Sequence, residues 1–281
     1  MILNFAGLET AREIKRVIFG YCLFFHREES VTSFMVIVFN ATGGYAARWS
    51  HVLASTRYAT PAVRGTCDYL VVDSDIRDPA TSNAKVVEKA KTIGANCVVP
   101  KDIFGDWRAT VESVRAFFKA GEWGGDVIIP LQRPYAKCFQ DLEEYGHWFG
   151  LGGLLPLHKE EQFEELKKGV EIVSRMGKDV HLFGIFPSPS TPVFKYLRSG
   201  APVHSLDTTV CETMAVTGRV YDLSFDRYHL INTTGAWSRQ LRVKMAELNL
   251  TSIHIALNRP TQAARTSKSI CFQHLKRPVL S

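Results

Sequence analysis

The chain has 281 residues, of which 46% are hydrophobic and 22% are charged, and this composition is ordinary for a globular protein. Its formal net charge of +6 is compatible with a nucleic-acid partner but too small to establish one. Six cysteines occur without a Cys-x-x-Cys or Cys-x-Cys pair, which argues against a zinc ribbon and indicates reduced, mostly buried thiols.

The first 62 residues have the least regular pattern. Glu9–Arg16 is typical of a helix, Val17–Phe25 of a strand, and Phe34–Asn40 of a strand that ends at a Gly43-Gly44 pair. That pair indicates a turn, although it would also let the backbone approach a ligand. Both apolar runs are far shorter than the ~20 residues that span a bilayer. Since no signal-peptide cleavage pattern follows them, we expect a cytoplasmic protein without a membrane partner.

From residue 63 to residue 257 short apolar strands alternate with amphipathic helices. The predicted strands are Asp68–Asp73, Cys97–Pro100, Asp126–Leu131, Gly150–Leu154, Val180–Ile185 and Val203–Leu206, with weaker ones at Tyr228–Asn232 and Ser252–Leu257. The predicted helices are Ala84–Ile93 with Asn83 as its cap, Trp107–Ala120, Lys159–Met176, Thr191–Arg198 and Ser238–Leu248.

This alternation predicts a parallel sheet, either open or closed. An open doubly wound sheet would be expected to carry a Gly-x-Gly-x-x-Gly after its first strand, and the sequence has none. The strand count favours a TIM-type (β/α)8 barrel in one domain, with residues 63–257 as the barrel core. Residues 1–62 would form its N-terminal part with an irregular region, and residues 258–281 a basic peripheral tail.

Three aspartates, Asp73, Asp102 and Asp207, fall at or just beyond the ends of separate predicted strands. One such Asp is most often a helix cap, but three of them together with Gln132 and the glycines that follow Leu151 predict a polar site at the C-terminal face of the barrel. Carboxylates there can serve as nucleophile or general base. The Gln amide and exposed backbone N–H groups suit hydrogen bonding to a planar heterocycle.

The segment Asp126–Thr209 resembles the core of the tRNA-guanine transglycosylase superfamily, which exchanges guanine for a 7-deazaguanine. The family has a strand ending in Gln, a Gly-x-Gly-Gly-Leu, a Leu-Met-Gly-Val strand and a Phe-Asp-Cys-Val strand. The corresponding residues here are Leu131-Gln132, Gly150-Leu-Gly-Gly-Leu154, Leu182-Phe-Gly-Ile185 and Leu206-Asp-Thr-Thr209, and upstream Asn83–Asp102 matches a helix, strand and strand-end Asp. The matched region covers somewhat less than half of the chain.

The resemblance implies a role for each matched residue. Asp207 would be the nucleophile that attacks C1′ of the target nucleoside and forms a covalent glycosyl intermediate. Asp102 would hold the N1/N2 edge of guanine. Gln132 and, from the Gly152-Gly153 pair, Gly153 would donate hydrogen bonds to O6 of the base. Phe183 takes the place of a Met that packs on the face of the base.

The general base of the family lies in an Asp-Ser-Gly-Gly-Phe motif, for which the sequence offers two alignments. Asp73 is followed by Ser and then by Asp75-Ile-Arg instead of Gly-Gly-Phe. The Asn40–Tyr45 segment keeps the Gly-Gly but has Asn in place of Asp. We favour Asp73, since it stands one strand–helix unit before Asp102, and the alternative stays open.

The Cys-x-Cys-x-x-Cys zinc motif of the family is missing after Asp207, so we expect no metal or other cofactor. There is also no room for the C-terminal RNA-binding domains of archaeal relatives. Both departures favour the phage and bacterial branch, whose partners are DNA, guanine and a 7-deazaguanine such as preQ0. Such a protein would act in the host cytoplasm and shield phage DNA from restriction.

Several alternatives remain open at this point. They are a tRNA-acting relative, a catalytically inactive barrel that only binds nucleic acid, and an aldolase-type lyase, for which Lys101 is the best-placed Lys. The sequence also leaves open the 7-deazaguanine inserted, any target-sequence preference and whether the chain forms a homodimer. The best candidate for a phosphate-binding face is the basic run Arg239–Arg277.

Overall fold

Eight parallel strands close into a barrel in chain order, with each strand paired to the next and the eighth paired to the first. The structure is a computed structural model that describes residues 36–44, 47–75, 78–154, 157, 159–185, 188, 191–223, 227–231 and 238–258. The TIM-type (β/α)8 barrel expected from the strand–helix alternation is therefore confirmed. The predicted Glu9–Arg16 helix, the Val17–Phe25 strand and residues 259–281 of the tail lie outside the described residues.

Within the described residues, every barrel strand from the second onward is followed by a helix. The barrel strands are β1 Ile37–Ala41, β2 His51–Ser55, β3 Tyr69–Asp73, β4 Cys97–Val98, β5 Asp126–Leu131, β6 Trp148–Leu151, β7 Asp179–Leu182 and β8 Ser205–Thr208. The helices are α1 Pro61–Arg64, α2 Asn83–Ile93, α3 Trp107–Ala120, α4 Tyr135–Gln140, α5 Lys159–Arg175, α6 Pro192–Arg198, α7 Val210–Val216 and α8 Arg239–Asn258. A short 3-10 helix, Glu143–Tyr145, precedes β6, and an antiparallel pair, β9 Arg219–Asp222 with β10 Arg227–Leu230, separates α7 from α8.

Helix α2 shows how local sequence sets the element boundaries. The Ser82 side chain accepts a hydrogen bond from the Lys85 N–H at 3.3 Å, and Gly94 ends the helix in a left-handed conformation with φ of 65°. The prediction that Asn83 caps this helix was wrong by one residue. The Asn83 side chain instead accepts from the Lys101 N–H at 2.7 Å, which ties α2 to the loop after β4.

Alternate residues of each strand point into the barrel, because successive side chains of a strand lie on opposite faces. The interior is filled by an apolar cluster that comprises Phe39, Leu53, Val71, Cys97, Val99 and Ile128. Two residues beyond Val71 the same face carries Asp73, and two beyond Ser205 it carries Asp207. The strand period thus places both carboxylates at the C-terminal mouth of the barrel.

Helix α8, the last described helix, packs on the outside of the barrel against β1. The predicted strand Ser252–Leu257 was wrong, because these residues form the last turns of the 20-residue α8. Its buried residues recur at helical spacing, as in Ala246, Leu250, Ile253 and Leu257, and the short apolar run at the end of this series imitates a strand. The described part of the β1–β2 connection holds no helix.

Two asparagines of α8 attach it to the rest of the fold. The Asn258 side chain accepts from the Val36 N–H at 2.8 Å and donates to the Val36 carbonyl at 3.1 Å. These two bonds hold the end of α8 against the residue that precedes β1. Asn249 accepts from the Tyr221 N–H at 2.8 Å and donates to the carbonyl oxygens of Cys211 and Arg219. No helix in the described part of the chain is both long and apolar enough to span a membrane.

Candidate functional site

Two cavities meet at the C-terminal mouth of the barrel. An inner cavity of about 560 Å³ lies over β4 to β7, and an outer cavity of about 900 Å³ lies over β1 to β3 and the exposed side of α2. Leu53, Asp73 and Asp207 line both cavities. A ligand with two parts could therefore occupy both cavities at once, with its junction beside the two carboxylates.

Asp207 is held at the end of β8 by two nitrogen atoms that contact the same carboxylate oxygen. The Gly184 N–H donates to Oδ1 at 3.0 Å, and Nε2 of His181 lies 3.2 Å from that atom. The Asp207 residue is only 5% exposed. Among the described residues Oδ2 has no hydrogen-bond partner, so it is the oxygen left to meet a ligand.

Asp73 lies at the same mouth, at the end of β3. Burial, together with the nearby carboxylates of Asp102 and Asp207, raises the pKa of Asp73 to about 8. A carboxyl group with this pKa carries its proton at neutral pH. The mouth therefore holds a carboxylic acid that can give up a proton beside a carboxylate that accepts two hydrogen bonds.

Asp102 faces the inner cavity and is supported from behind by Gln132. The Gln132 Nε2 donates to Asp102 Oδ2 at 2.6 Å, and the hydroxyl of Ser74 lies 3.5 Å from Oδ1. Burial raises the pKa of Asp102, while the hydrogen bond from Gln132 opposes that rise. Gln132 itself is fully buried and lines neither cavity, which differs from the direct base contact expected from the sequence.

The glycine pair after β6, Gly152 and Gly153, lines the inner cavity. The Gly152 N–H is used by the Leu131 carbonyl at 3.0 Å, whereas that of Gly153 has no partner among the described residues. Both carbonyl oxygens are anchored, that of Gly152 by the Tyr135 hydroxyl at 2.6 Å and that of Gly153 by Arg133 Nε at 3.1 Å. The bond to the Gly152 carbonyl fixes the peptide unit that carries the Gly153 N–H.

Phe183 supplies an apolar wall of the inner cavity. Its ring packs directly over Gly150, at a position where any larger residue in place of the glycine would overlap the ring. The ring centroid lies 4.6 Å from that of His181 at an interplanar angle of 69°. The structure thus brings Asp73, Asp102, Gly152, Gly153, Phe183 and Asp207 to the cavities, and leaves Gln132 behind them.

The alternative segment Asn40–Tyr45 is attached to helix α7. Asn40 is fully buried, and its Nδ2 donates at 3.0 Å to Glu212 of α7, whose other oxygen accepts from the Gly43 N–H at 2.8 Å. Thr42 and Gly43 line the outer cavity, while Tyr45 lies outside the described residues. Sequence reasoning missed Glu212, since one acidic residue in a short helix carries no signal of burial.

The cations nearest the site were also missed. Arg57, Lys85 and Lys89 line the outer cavity and Lys159 the inner one, whereas the described part of the basic run, on α8, lines neither. Lys101, the Lys expected of a lyase, lines neither cavity, and its Nζ donates to the Asp78 carbonyl at 2.9 Å. Among the described residues, no cluster of His, Cys, Asp or Glu has the arrangement of a metal site.

Comparison with known proteins leaves the site to be interpreted from its own geometry. No protein-family model matches the chain, and no curated protein matches it. A TIM barrel with carboxylates at its C-terminal mouth is the arrangement in which barrel enzymes carry their active sites. The fold therefore suits an enzyme without specifying the reaction.

Proposed function

We propose that the chain is a DNA-guanine transglycosylase that exchanges guanine for a 7-deazaguanine through a covalent Asp207 intermediate. The observation that carries this proposal is the pair of carboxyl groups in contrasting environments at one mouth. Asp207 accepts two hydrogen bonds on Oδ1, and Asp73 has a pKa of about 8. Base exchange needs such a pair, since one group must attack the sugar while the other moves a proton.

In the first half of the reaction an Asp207 Oδ2 lone pair attacks C1′ of the target nucleotide. The C1′–N9 bond breaks, its electron pair stays with the base, and the proton of Asp73 neutralises the departing guanine. In the second half N9 of the incoming base attacks C1′, and the C1′–Oδ2 bond breaks with its electrons returning to Asp207. The N9 proton returns to Asp73, so the exchange consumes no proton and no redox equivalent.

Asp102 and Gly153 support selection of guanine in the inner cavity. The Asp102 carboxylate can accept from N1–H and N2–H of guanine, whereas adenine presents an acceptor at N1 and would face it unfavourably. The free Gly153 N–H can donate to O6. Gln132 takes the part of a support that orients Asp102, and Phe183 can pack on the face of the base.

The choice of DNA rests on the sequence and on the outer cavity. The residues after Asp207 lack the zinc motif of tRNA-acting relatives, and Cys211, which lies in this region, is buried in α7. Arg57, Lys85 and Lys89 line the outer cavity together with Asp75, Asp78 and Glu88, and the three cations could contact the phosphates of a polynucleotide backbone there. A base inside a duplex would have to leave the stack to reach Asp207. Incorporation of preQ0 would protect phage DNA from cleavage by restriction nucleases.

An exchange assay with labelled guanine and preQ0 on DNA and on tRNA tests the proposal. The wild type should incorporate base into DNA, and so should Asp179→Asn, which changes a partly exposed carboxylate at the other end of the barrel. Asp207→Asn should not. Incorporation into tRNA alone would favour the tRNA-acting alternative. Salt-dependent DNA binding with no incorporation and no adduct at Asp207 would mean an inactive binding barrel.

A further inference from the structure

We propose that His181 is a positioning residue that holds Oδ1 of Asp207, so that Oδ2 is the oxygen that bonds to C1′. This inference rests on the proposed glycosyl transfer. The imidazole bridges two strands, with Nε2 at 3.2 Å from Asp207 Oδ1 and Nδ1 at 2.9 Å from the Ser205 hydroxyl. With the Gly184 N–H on the same Oδ1, the carboxylate is held at one oxygen, while the other has no hydrogen-bond partner in the described part of the chain.

The hydrogen-bond partners fix where the proton of the ring must lie. An ionised carboxylate has only acceptors, so Nε2 must carry a proton to lie 3.2 Å from Oδ1 without repulsion. Nδ1 can then accept from the Ser205 hydroxyl, which is free to rotate its proton toward the ring. Ser205 therefore sets the orientation in which His181 serves Asp207 as a donor.

The ring has no room to turn away from this arrangement. His181 is fully buried, and its centroid lies 5.7 Å from Phe39, 6.2 Å from Trp148 and 4.6 Å from Phe183. Such packing keeps the donor in place before substrate arrives, which is the condition for preorganised stabilisation of charge. A Phe or Leu at this position would fill the space but would leave Oδ1 with the Gly184 N–H alone.

The two donors on Oδ1 matter most when the intermediate breaks down. Formation of the C1′–Oδ2 bond converts Asp207 into an ester, in which Oδ1 is a carbonyl oxygen without a full negative charge. Attack by N9 of the incoming base returns an electron pair and the charge to the carboxylate. A donor at Oδ1 stabilises that returning charge, so its loss slows release of the sugar and lets the ester accumulate.

The test compares His181→Leu, His181→Gln and Ser205→Ala with the wild type in labelled-base exchange and in denaturing-gel capture of the DNA adduct. His181→Leu should lower kcat by about tenfold or more with little change in KM for the base, and should raise the trapped fraction of adduct. His181→Gln, whose amide can donate at the Nε2 position, should recover most of the lost kcat. Ser205→Ala, which loosens the ring, should fall between them.

The outcomes separate this inference from the proposed function. Unchanged kcat in a folded His181→Leu, or a His181→Gln as impaired as His181→Leu while melting like the wild type, overturns the role of the donor and leaves the transglycosylase proposal standing. A wild type that forms no adduct and exchanges no base overturns both. If His181→Leu does not fold, His181→Gln, which retains the donor, should have a higher kcat than Ser205→Ala, which retains the ring but loosens it, and the reverse order overturns the role of the donor.

Discussion

Gln132 and Asp102 form a buried donor–acceptor pair in which the amide faces the carboxylate and turns away from the cavity. The bond, 2.6 Å long, joins the residue that follows β5 to the loop after β4, and Gln132 is fully buried behind it. The Gln132 Oε1 in turn lies 3.4 Å from the Gly105 N–H. The orientation of Asp102 toward the inner cavity therefore depends on a residue that no ligand needs to touch.

Replacing Gln132 with Leu should weaken base binding without removing the nucleophile. The change leaves Asp102 Oδ2 without its donor, so KM for guanine should rise about tenfold or more while the adduct at Asp207 still forms. The free energy of unfolding should fall by about 1–3 kcal/mol, the usual cost of an unpaired buried polar group. Gln140→Leu, an exposed residue on α4, is the matched control and should change neither quantity.

The pH dependence of exchange should report the proton on Asp73. Since the pKa of Asp73 is about 8 and the protonated form assists departure of guanine, the rate should fall as pH rises above about 8. Asp73→Asn should lower the rate by about a hundredfold or more and lose this alkaline limb. A wild-type rate that keeps rising between pH 8 and 10 would contradict the assignment of Asp73 as the acid.

The same proton should appear in the stability of the fold. From the ordinary Asp pKa of 3.8 up to about 8 the folded protein keeps the proton that the unfolded chain loses, so the free energy of unfolding falls as pH rises. Asp73→Asn removes this loss. The free energy of unfolding of Asp73→Asn minus that of the wild type should therefore be larger at pH 8 than at pH 4. The increase should be at least about 1.4 kcal/mol, the equivalent of one pKa unit. Urea unfolding at the two pH values measures it.

The glycine pair offers a matched test of backbone geometry. Gly153 and Gly177 have φ of 74° and 67°, so Ala at either position should lose about 1–2 kcal/mol from the left-handed conformation. Only at Gly153 would the added methyl group overlap the Gln132 Oε1, because Gly177 has open space around it. Gly153→Ala should therefore also impair base binding, while Gly177→Ala should keep the wild-type KM.

The regular part of the barrel could be predicted because each buried strand is followed by a strongly amphipathic helix. Trp107–Ala120 and Asp126–Leu131 were predicted with the bounds that the structure has. Strand β2 and helices α1, α4 and α7 were missed. These helices have 4, 6 and 7 residues, too few for a helical period to stand out, and β2 has only 5 residues without a regular helix before it.

Within the site, strand period alone explains why Asp73 and Asp207 share the mouth. The hydrogen-bond networks could not be foreseen, since they join distant parts of the chain. Gln132 and Asp102 are 30 residues apart, and Asn40 and Glu212 are 172 apart. His181 carries no sequence signal of a role in the site. Its contact with Asp207 depends on the register of β7 and β8, in which His181 pairs with Ser205.

Replacing Asn249 should lower the stability of the fold without changing the exchange activity. Asn249→Leu would leave the Tyr221 N–H and two carbonyl oxygens without their partner, so the free energy of unfolding should fall by about 2–4 kcal/mol. Because Asn249 lines neither cavity, exchange per folded molecule should stay at the wild-type level. Gln240→Leu, exposed on the same helix, should leave the denaturation midpoint unchanged.

The contact between Asn258 and Val36 joins residues 222 positions apart, and it sets the order in which a growing chain can finish folding. At about 5–20 residues per second, a ribosome needs on the order of 10–40 s to make the intervening chain. For most of that time one edge of β1 lacks β8, which ends at Thr208, and its outer side lacks the complete α8 until the end. An unpaired edge of this kind is a template for association with other chains. Newly made protein should therefore depend on chaperones until residue 258 has emerged.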